Sequence, residues 1–403
     1  MRGGGRGRGR LVRRDRRAAH VVRLLVRGRL RRDGLVDDRE AREERSRLQG
    51  RRRAGRATSH LAPPLTRSVS ARAFPPLLPL SPPPQGHECG HGAFSESRAL
   101  NYVVGFVAHT SLLVPFSAWA ITHARHHGST NSMEHDEPFV PSSKKEYSAR
   151  RALGSLIESG AFAGVALAAM LVIGWPAYLL IDLGGPSKHE KRGGSRDHFL
   201  PTSSHFRDNS AASRFSVVVG TLGIIGMLAG LGWASSLFGW RLVAALYGVP
   251  LLVVNAHLVT ITFLQHTHLG VPHYREGEHT WLRGALCTVD RSWGALRDVL
   301  FHHISDTHVA HHLFHEMPFY HASEATKALA AALGPYYLRD DTTVELALWR
   351  AFRECRFVEP DAGGPPGVEW MRSFGDDFPP VKTNVLHVAA ELVGLVAPAP
   401  FEG

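Results

Sequence analysis

HECGH at residues 87–91, HARHH at 123–127 and HVAHH at 308–312 are the segments that decide the fold of this chain. Histidines three or four positions apart share one face of a helix, so each cluster is predicted to aim two or three imidazoles in one direction. A looser cluster, QHTH, occupies residues 265–268. All four clusters lie beside apolar segments. The pattern predicts that imidazoles from several helices converge on metal ions at the ends of those helices.

The three tight clusters together offer eight neutral nitrogen ligands. A structural zinc ion takes four ligands, and a catalytic zinc ion takes three and a water molecule. Eight imidazoles therefore favour two metal ions, each with an open coordination position. Imidazole binds zinc, copper, iron and nickel, so the ligand type leaves the metal undecided. Isolated histidines are interpreted as packed or surface residues, namely His109, His135, His189 and His387.

Four segments after the first cluster contain no Lys, Arg, Asp or Glu: 99–121, 161–181, 215–240 and 242–265. Each is close to the ~20 residues with which a helix crosses a bilayer. Backbone groups in lipid must find hydrogen-bond partners within the segment, which favours helices. The fold class is therefore predicted to be an all-α integral membrane protein, a helical bundle with a di-metal site.

A shared metal centre requires all the clusters on one side of the membrane. Segment 99–121 separates the first two clusters, so it is predicted to return or to lie in the interface, with Pro115 at the bend. Segment 161–181 is predicted not to cross, because a third crossing would separate HVAHH from HARHH. Gly174-Trp175-Pro176 is expected to interrupt it.

The remaining two apolar segments, 215–238 and 242–265, are predicted to form one transmembrane hairpin. Arg241 is the only charged residue at its far turn. Basic residues on both flanks of segment 161–181 indicate the cytoplasmic side by the positive-inside rule. All the histidine clusters are therefore predicted to face the cytoplasm.

The two ends of the chain differ in composition from its middle. Residues 1–60 hold 21 Arg and 7 Asp or Glu, and the remaining residues carry a formal charge of −3. The folded part therefore has no basic surplus that would bind nucleic acid. Residues 1–86 are Arg/Gly-rich and then Pro-rich, which predicts disorder. They are interpreted as a solvated tail or a misassigned start, with an RNA-binding or targeting segment as the alternative. Three Cys exclude a disulfide scaffold.

HECGH, HARHH and HVAHH resemble the three histidine boxes of the membrane fatty acid desaturases. Three longer stretches resemble the plant microsomal Δ12, or omega-6, oleate desaturases: NAHLVTITFLQHTH at 255–268, WLRGALCTVDR at 281–291 and ISDTHVAHHLFHEMPFYHASEATKAL at 304–329. The resemblance covers residues 87–361, which are predicted to form the desaturase domain. Residues 362–403 are a divergent tail.

This resemblance implies a non-haem di-iron enzyme of the endoplasmic reticulum membrane with O2 as co-substrate. Cytochrome b5 and its reductase would donate electrons, and oleoyl chains of phosphatidylcholine would become linoleoyl chains. The iron ligands that it implies are His87, His91, His123, His126, His127, His308, His311 and His312. His266 or His268 is a candidate further ligand. Carboxylates near the boxes are expected to orient the imidazoles, and the candidates are Glu88, Asp136, Glu137 and Asp306.

The chain departs from the family pattern in three places. The family has two membrane helices before the first box, so the first transmembrane hairpin is expected to be missing, and an inactive truncated enzyme is one hypothesis. Gly92 follows HECGH where the Δ12 enzymes usually have His. The second box has Ala124 where the family has Arg, which leaves the ligand positions intact.

Two further hypotheses remain open. A hydroxylase, an epoxygenase and a conjugase use the same boxes, so the product is not decided. A His-rich membrane metal transporter belongs to a different class and predicts ligands at the membrane midplane. Here the clusters lie at segment ends, and only His257 lies deep in a late segment.

Overall fold

Three helices at the start of the described chain carry the first two histidine boxes. The computed structural model describes residues 82–149, 160–185, 193–334 and 337–373. Helix α1 spans Pro82–His91, α2 spans Arg98–Thr110 and α3 spans Phe116–Ser129. The prediction that residues 1–86 are disordered was therefore wrong for residues 82–86, which form the first turn of α1. The rest of that segment lies outside the described residues.

Glycines allow α1 to pack directly against α2 and α3. A Cβ at Gly86 would overlap the ring of His109 on α2, and one at Gly90 would overlap the ring of Trp119 on α3. Helix α1 then ends at Gly92, whose φ of 73° is the left-handed conformation that favours glycine. The first two boxes consequently lie side by side.

The apolar segment 99–121 is broken where Pro115 predicts a bend. Helix α2 ends at Thr110, and α3 begins at Phe116 with Pro115 in an extended conformation at its N-cap. Leu113 adopts a positive φ of 56° within the connection. The chain therefore turns back here, which brings together the boxes on either side.

Helix α4 spans Lys144–Ala149, and α5 spans Gly160–Ile181 without interruption. The prediction that Gly174-Trp175-Pro176 interrupts this segment was wrong. The loss of one backbone hydrogen bond at Pro176 is local, and the helix is held on either side by packing. Trp175 and Leu179 belong to a buried cluster, and Gly174 lies against Val259 of a later helix.

The long apolar hairpin has the predicted form. Helix α6 spans Ala211–Phe238, α7 spans Trp240–His266, and Gly239 joins them with a φ of 84°. Helix α7 contains a π-helical turn over Ala244–Gly248. Among the described residues, three helices are long and apolar enough to cross a membrane, namely α5, α6 and α7.

The chain after α7 forms short helices and a small sheet that the sequence did not predict. The helices are α8 Trp281–Leu286, α9 Ala295–Leu300, α10 His308–Leu313, α11 Ala322–Leu333 and α12 Val344–Glu354. The strands are β1 Pro272–Tyr274, β2 Phe357–Pro360 and β3 Val368–Arg372, all antiparallel in the order β1-β3-β2.

Strand β3 pairs with both other strands, so the folded domain continues past the predicted boundary at residue 361. The sheet also holds the loop after the second box. The N–H of Met133 donates to the carbonyl of Tyr274, and the N–H of Tyr274 donates to that of Asn131. Residues 374–403 with His387, and residues 186–192 with His189, lie outside the described residues.

Candidate metal centre

Five imidazoles from three boxes converge at the ends of α1, α3 and α10. Each offers one ring nitrogen, and these nitrogens all lie within 4.8 Å of one another. We name this the five-histidine group: it contains His87, His91, His123, His127 and His311. The Nε2 atoms of His87, His91 and His123 lie 3.0–3.3 Å apart.

Four other imidazoles converge beside it. His126, His266 and His312 offer ring nitrogens within 4.8 Å of one another. The Nε2 atom of His308 lies 3.1 Å from the Nε2 atoms of His266 and His312. We name these the four-histidine group. All eight predicted ligand residues thus lie in one of the two groups.

Helices α3 and α10 each contribute histidines to both groups, which the sequence did not predict. On α3, His123 and His127 belong to the five-histidine group and His126 to the four-histidine group. On α10, His311 belongs to the first group, whereas His308 and His312 lie in the second. The expectation that three imidazoles of one box point in one direction was therefore wrong. Adjacent positions on a helix point about 100° apart, which lets one helix line two sites.

The structure distinguishes between the two candidate further ligands. His266 is the last residue of α7, and its Nε2 lies 3.2 Å from Nε2 of His126. Thr267 is extended and turns the chain away. The Nδ1 atom of His268 instead accepts the N–H of Gly270, 3.0 Å away. His266 therefore joins the four-histidine group and His268 does not.

The nitrogen spacing fits metal coordination. Ligand nitrogens at about 2.0–2.1 Å from a common metal ion lie about 2.8–3.4 Å from one another in octahedral or tetrahedral geometry. Six Nε2–Nε2 distances in the two groups are 3.0–3.3 Å and lie in that range. Both ring nitrogens of His127 and Nε2 of His311 are buried and have no hydrogen-bond partner among the described residues. Buried polar atoms of this kind indicate a ligand.

The imidazoles are held neutral, as metal ligands must be. Burial, followed by repulsion among neighbouring imidazoles, lowers the pKa well below its ordinary value for His91, His123, His127, His311 and His312. Burial lowers the pKa of His308 to about 3. Near neutral pH these rings therefore keep a free nitrogen lone pair.

Comparison with known proteins identifies the family. The sequence model of the family described as fatty acid desaturase matches residues 85–343, more than half of the chain.

This chain belongs to the fatty acid desaturase family.

Similar proteins support the assignment. A Delta(12)-fatty-acid desaturase of Arabidopsis thaliana is 45% identical over 288 residues, which cover 71% of this chain and 72% of the relative. An oleoyl-12-hydroxylase of Ricinus communis is 45% identical over 289 residues, 72% of each chain. A bifunctional desaturase/conjugase of Vernicia fordii is 44% identical over 292 residues, 71% of each chain. The desaturase is therefore a membrane enzyme of the oxidoreductase class.

Hydrogen bonds donated by Nδ1 fix how three rings of the four-histidine group present Nε2. His126 donates from Nδ1 to Asp136 Oδ1, 2.6 Å away, and His308 donates from Nδ1 to the carbonyl of Ile304. Thr130 donates its hydroxyl hydrogen to the carbonyl of His126, so its oxygen accepts from His312 Nδ1, 3.1 Å away. In each ring Nε2 is left as the lone-pair nitrogen facing the group.

One of the candidate carboxylates contacts a ring of the four-histidine group at hydrogen-bond distance. That residue is Asp136, while the Oε1 atom of Glu88 lies 3.7 Å from His87 Nδ1. Asp306 pairs with His303, which belongs to neither group. Glu137 lies near Arg125 and His205. The expectation that Asp306 orients a box histidine was therefore wrong, and for Glu137 the expectation stays a prediction.

Replacing Asp136 with Asn is expected to weaken metal binding and activity by about 10–100-fold. The carboxylate accepts from His126 Nδ1 and also from the N–H of Asn131, 2.6 Å away. A neutral amide weakens the charge-assisted hydrogen bond that orients the His126 ring. The measurement is metal content and product formation of purified enzyme. Asp306→Asn is the matched control and should behave like the native enzyme. Equal losses in both variants would contradict the assigned role of Asp136.

A buried ionic cluster next to the second box was missed by the sequence analysis. His205 is 2% exposed and lies between two carboxylates: its Nδ1 is 3.4 Å from Glu137 and its Nε2 is 3.4 Å from Asp182. Burial by itself would lower the pKa of His205, but the flanking carboxylates of Asp182 and Glu137 raise that pKa to about 9. Asp182 and His205 are far from the boxes in sequence, so no local motif connects them.

This cluster makes stability depend on pH. The pKa of His205 is about 9 in the folded enzyme and about 6.5 in an unfolded chain, so the bound proton stabilises the folded state. The stabilisation should be fully present below pH 6.5 and disappear as the pH rises through about 9. We expect native enzyme to unfold at a higher temperature than His205→Gln at pH 6.5, with the difference shrinking by pH 9.5. A difference that does not change with pH would contradict this.

Asp290 and Arg291 tie together the two elements that carry His266 and His308. Asp290 Oδ1 accepts the N–H of Val309 at 2.8 Å, in the first turn of α10. Arg291 donates from Nε to the carbonyl of Leu264 at 3.2 Å, at the end of α7. Both are buried polar residues. They fix the distance between the end of α7 and the start of α10.

Proposed function

We propose that this desaturase binds one iron ion in the five-histidine group and one in the four-histidine group, and uses O2 to convert oleoyl chains of membrane phosphatidylcholine into linoleoyl chains. The observation that carries the proposal is the convergence of nine histidines into two adjacent groups with metal-ligand spacing. The names of two similar proteins, a Delta(12)-fatty-acid desaturase of Arabidopsis thaliana and an omega-6 fatty acid desaturase of Glycine max, support the bond position.

The residues of the chain would bind the metal ions, orient the imidazoles and shield the reacting region from water. Bound iron supplies the oxidising chemistry that breaking an unactivated C–H bond requires and that side chains lack. Trp119 stacks on His123 with ring centroids 4.6 Å apart and an angle of 19°, which covers one side of the five-histidine group. His126 and His312 are held through Nδ1, so their Nε2 atoms keep their direction while substrate binds. The rings of His127, His311 and all of the four-histidine group are buried, which excludes water from that part of the reacting region.

Hydroxylation is the second candidate reaction. It is favoured by the 45% identity to the oleoyl-12-hydroxylase of Ricinus communis, equal to the identity with the Arabidopsis desaturase. Both reactions begin with removal of hydrogen from an acyl carbon. They differ in whether a second hydrogen is removed or oxygen is transferred, which small changes in chain position decide.

We place the enzyme in the endoplasmic reticulum membrane with both histidine groups on the cytoplasmic side, where cytochrome b5 and its reductase would supply electrons. Contacts of α5 support the placement of both groups on one side of the membrane. Its first half packs through Leu167 and Leu171 against the buried cluster of Leu264 and Trp293. Asp182, directly after its last residue, faces His205 in the loop beside the second box. Both halves thus contact residues near the metal centre, as expected if α5 lies along one side of the bilayer.

Fatty acid analysis of yeast membranes tests the proposed function. Yeast contains oleoyl lipids and cytochrome b5, so expression of the chain should yield new 18:2 acyl chains. Empty vector is the control, and immunoblotting of the membrane fraction verifies accumulation. A hydroxylated acyl chain instead of 18:2 would show that the chain catalyses hydroxylation, the second candidate reaction, and not desaturation. Accumulated, metal-bound protein that yields neither product would contradict both candidate reactions.

A further inference from the structure

We propose that His315 is a further ligand of the metal in the five-histidine group, so that this metal has no open position while its neighbour keeps two. The proposal rests on the metal centre proposed above. His315 belongs to none of the three boxes, and it lies two residues after the last turn of α10.

The ring of His315 faces the five-histidine group. Its centroid lies 5.1 Å from the ring centroids of both His91 and His127. Adjacent ring centroids within the group lie 4.5–5.0 Å apart, so His315 occupies the next position in the same shell. The ring nitrogens of His315 are not among the ligand nitrogens that lie within 4.8 Å of one another, so the ring must turn to reach the metal.

The loop that carries His315 is held over the first box. The N–H of Phe319 donates to Glu88 Oε2 at 3.1 Å, next to His87. The ring of Phe319 also stacks on His302, with centroids 4.1 Å apart. With α10 fixed at one end and Phe319 at the other, His315 has little freedom to leave the group.

The chemical consequence is an asymmetric centre. Five imidazoles leave one position of an octahedral metal open, and His315 would fill it. The four-histidine group would keep two octahedral positions open. Small exogenous ligands should therefore bind mainly to the metal of the four-histidine group in the native enzyme, and to both metals when His315 is removed.

The test uses the full chain purified in detergent and loaded with ⁵⁷Fe. Iron release to a chelator and Mössbauer spectra, with and without azide, are compared for native enzyme, His315→Ala and His315→Gln. His321→Ala is the matched control, because His321 is exposed and lies on the same loop. His127→Ala is the reference for loss of a box residue.

We expect both His315 variants to release one of the two irons about 10–100-fold faster than the native enzyme. Azide should perturb a second iron signal in these variants only, and His321→Ala should match the native enzyme. If both His315 variants release iron and respond to azide as the native enzyme does, while His127→Ala loses iron, this inference is overturned and the proposed metal centre stands. If the native chain retains no iron after loading, the proposed metal centre and this inference both fail.

Discussion

Replacing His127 with Ala is expected to reduce product formation at least about a hundredfold and to remove metal from the five-histidine group. His127 lies at the centre of this group, with its ring centroid 4.5 Å from His91 and 4.7 Å from both His123 and His311. Neither of its ring nitrogens has a protein hydrogen-bond partner among the described residues, so ligation is the role left for a buried imidazole.

The measurement combines product analysis in yeast with metal content of the purified protein. His135→Ala is the matched control, because His135 is exposed and belongs to neither group. It should retain native activity and metal content. A His127→Ala enzyme that keeps two metals and native turnover would contradict the proposed centre.

The second large effect is expected from Gly284→Ala on α8. A Cβ at Gly284 would overlap the carbonyl oxygen of Thr130, and backbone atoms cannot yield as a flexible side chain can. The Thr130 hydroxyl contacts the carbonyl of His126 and Nδ1 of His312. Displacement of Thr130 should therefore disturb two rings of the four-histidine group, in addition to an overpacking cost of about 1–3 kcal/mol.

Gly284→Ala should lower the unfolding temperature by several degrees and activity by about tenfold or more. Thermal unfolding in detergent and fatty acid analysis measure the two effects. Gly128→Ala is the control, because Gly128 lies on α3 beside the same histidines and nothing lies within 4 Å of its added Cβ. That variant should be as stable as the native enzyme or slightly more so, since Ala favours a helix. Comparable losses at both glycines would refute the steric argument.

The histidine clusters predicted the convergence of the boxes because the relevant information is local. Spacings of three and four residues place imidazoles on neighbouring faces of one helix wherever that helix lies. The division into groups of five and four could not be predicted, because it depends on how α1, α3, α7 and α10 are rotated about their axes. The choice of His266 over His268 likewise depended on where α7 ends.

The continuity of α5, the small sheet and the cluster around His205 were not predicted, and each has a physical reason. Gly174-Trp175-Pro176 suggests a break, but contacts of α5 with its neighbours hold it continuous. The strands of the sheet have only three to five residues, too few for a local alternation to mark them, and β1 pairs with a strand that lies more than ninety residues later. The cluster around His205 unites residues from three separate segments. Such tertiary arrangements leave no local pattern.

The two ends of the five-histidine group, His87 and His311, are more than two hundred residues apart in the chain. At about 5–20 residues per second, a ribosome needs roughly 10–45 s to make the second after the first. During that time the first two boxes can already lie side by side while the third does not yet exist. Imidazoles bind copper and zinc more strongly than ferrous iron. Correct metallation of the nascent chain would then depend on which metals the cell keeps available at the membrane.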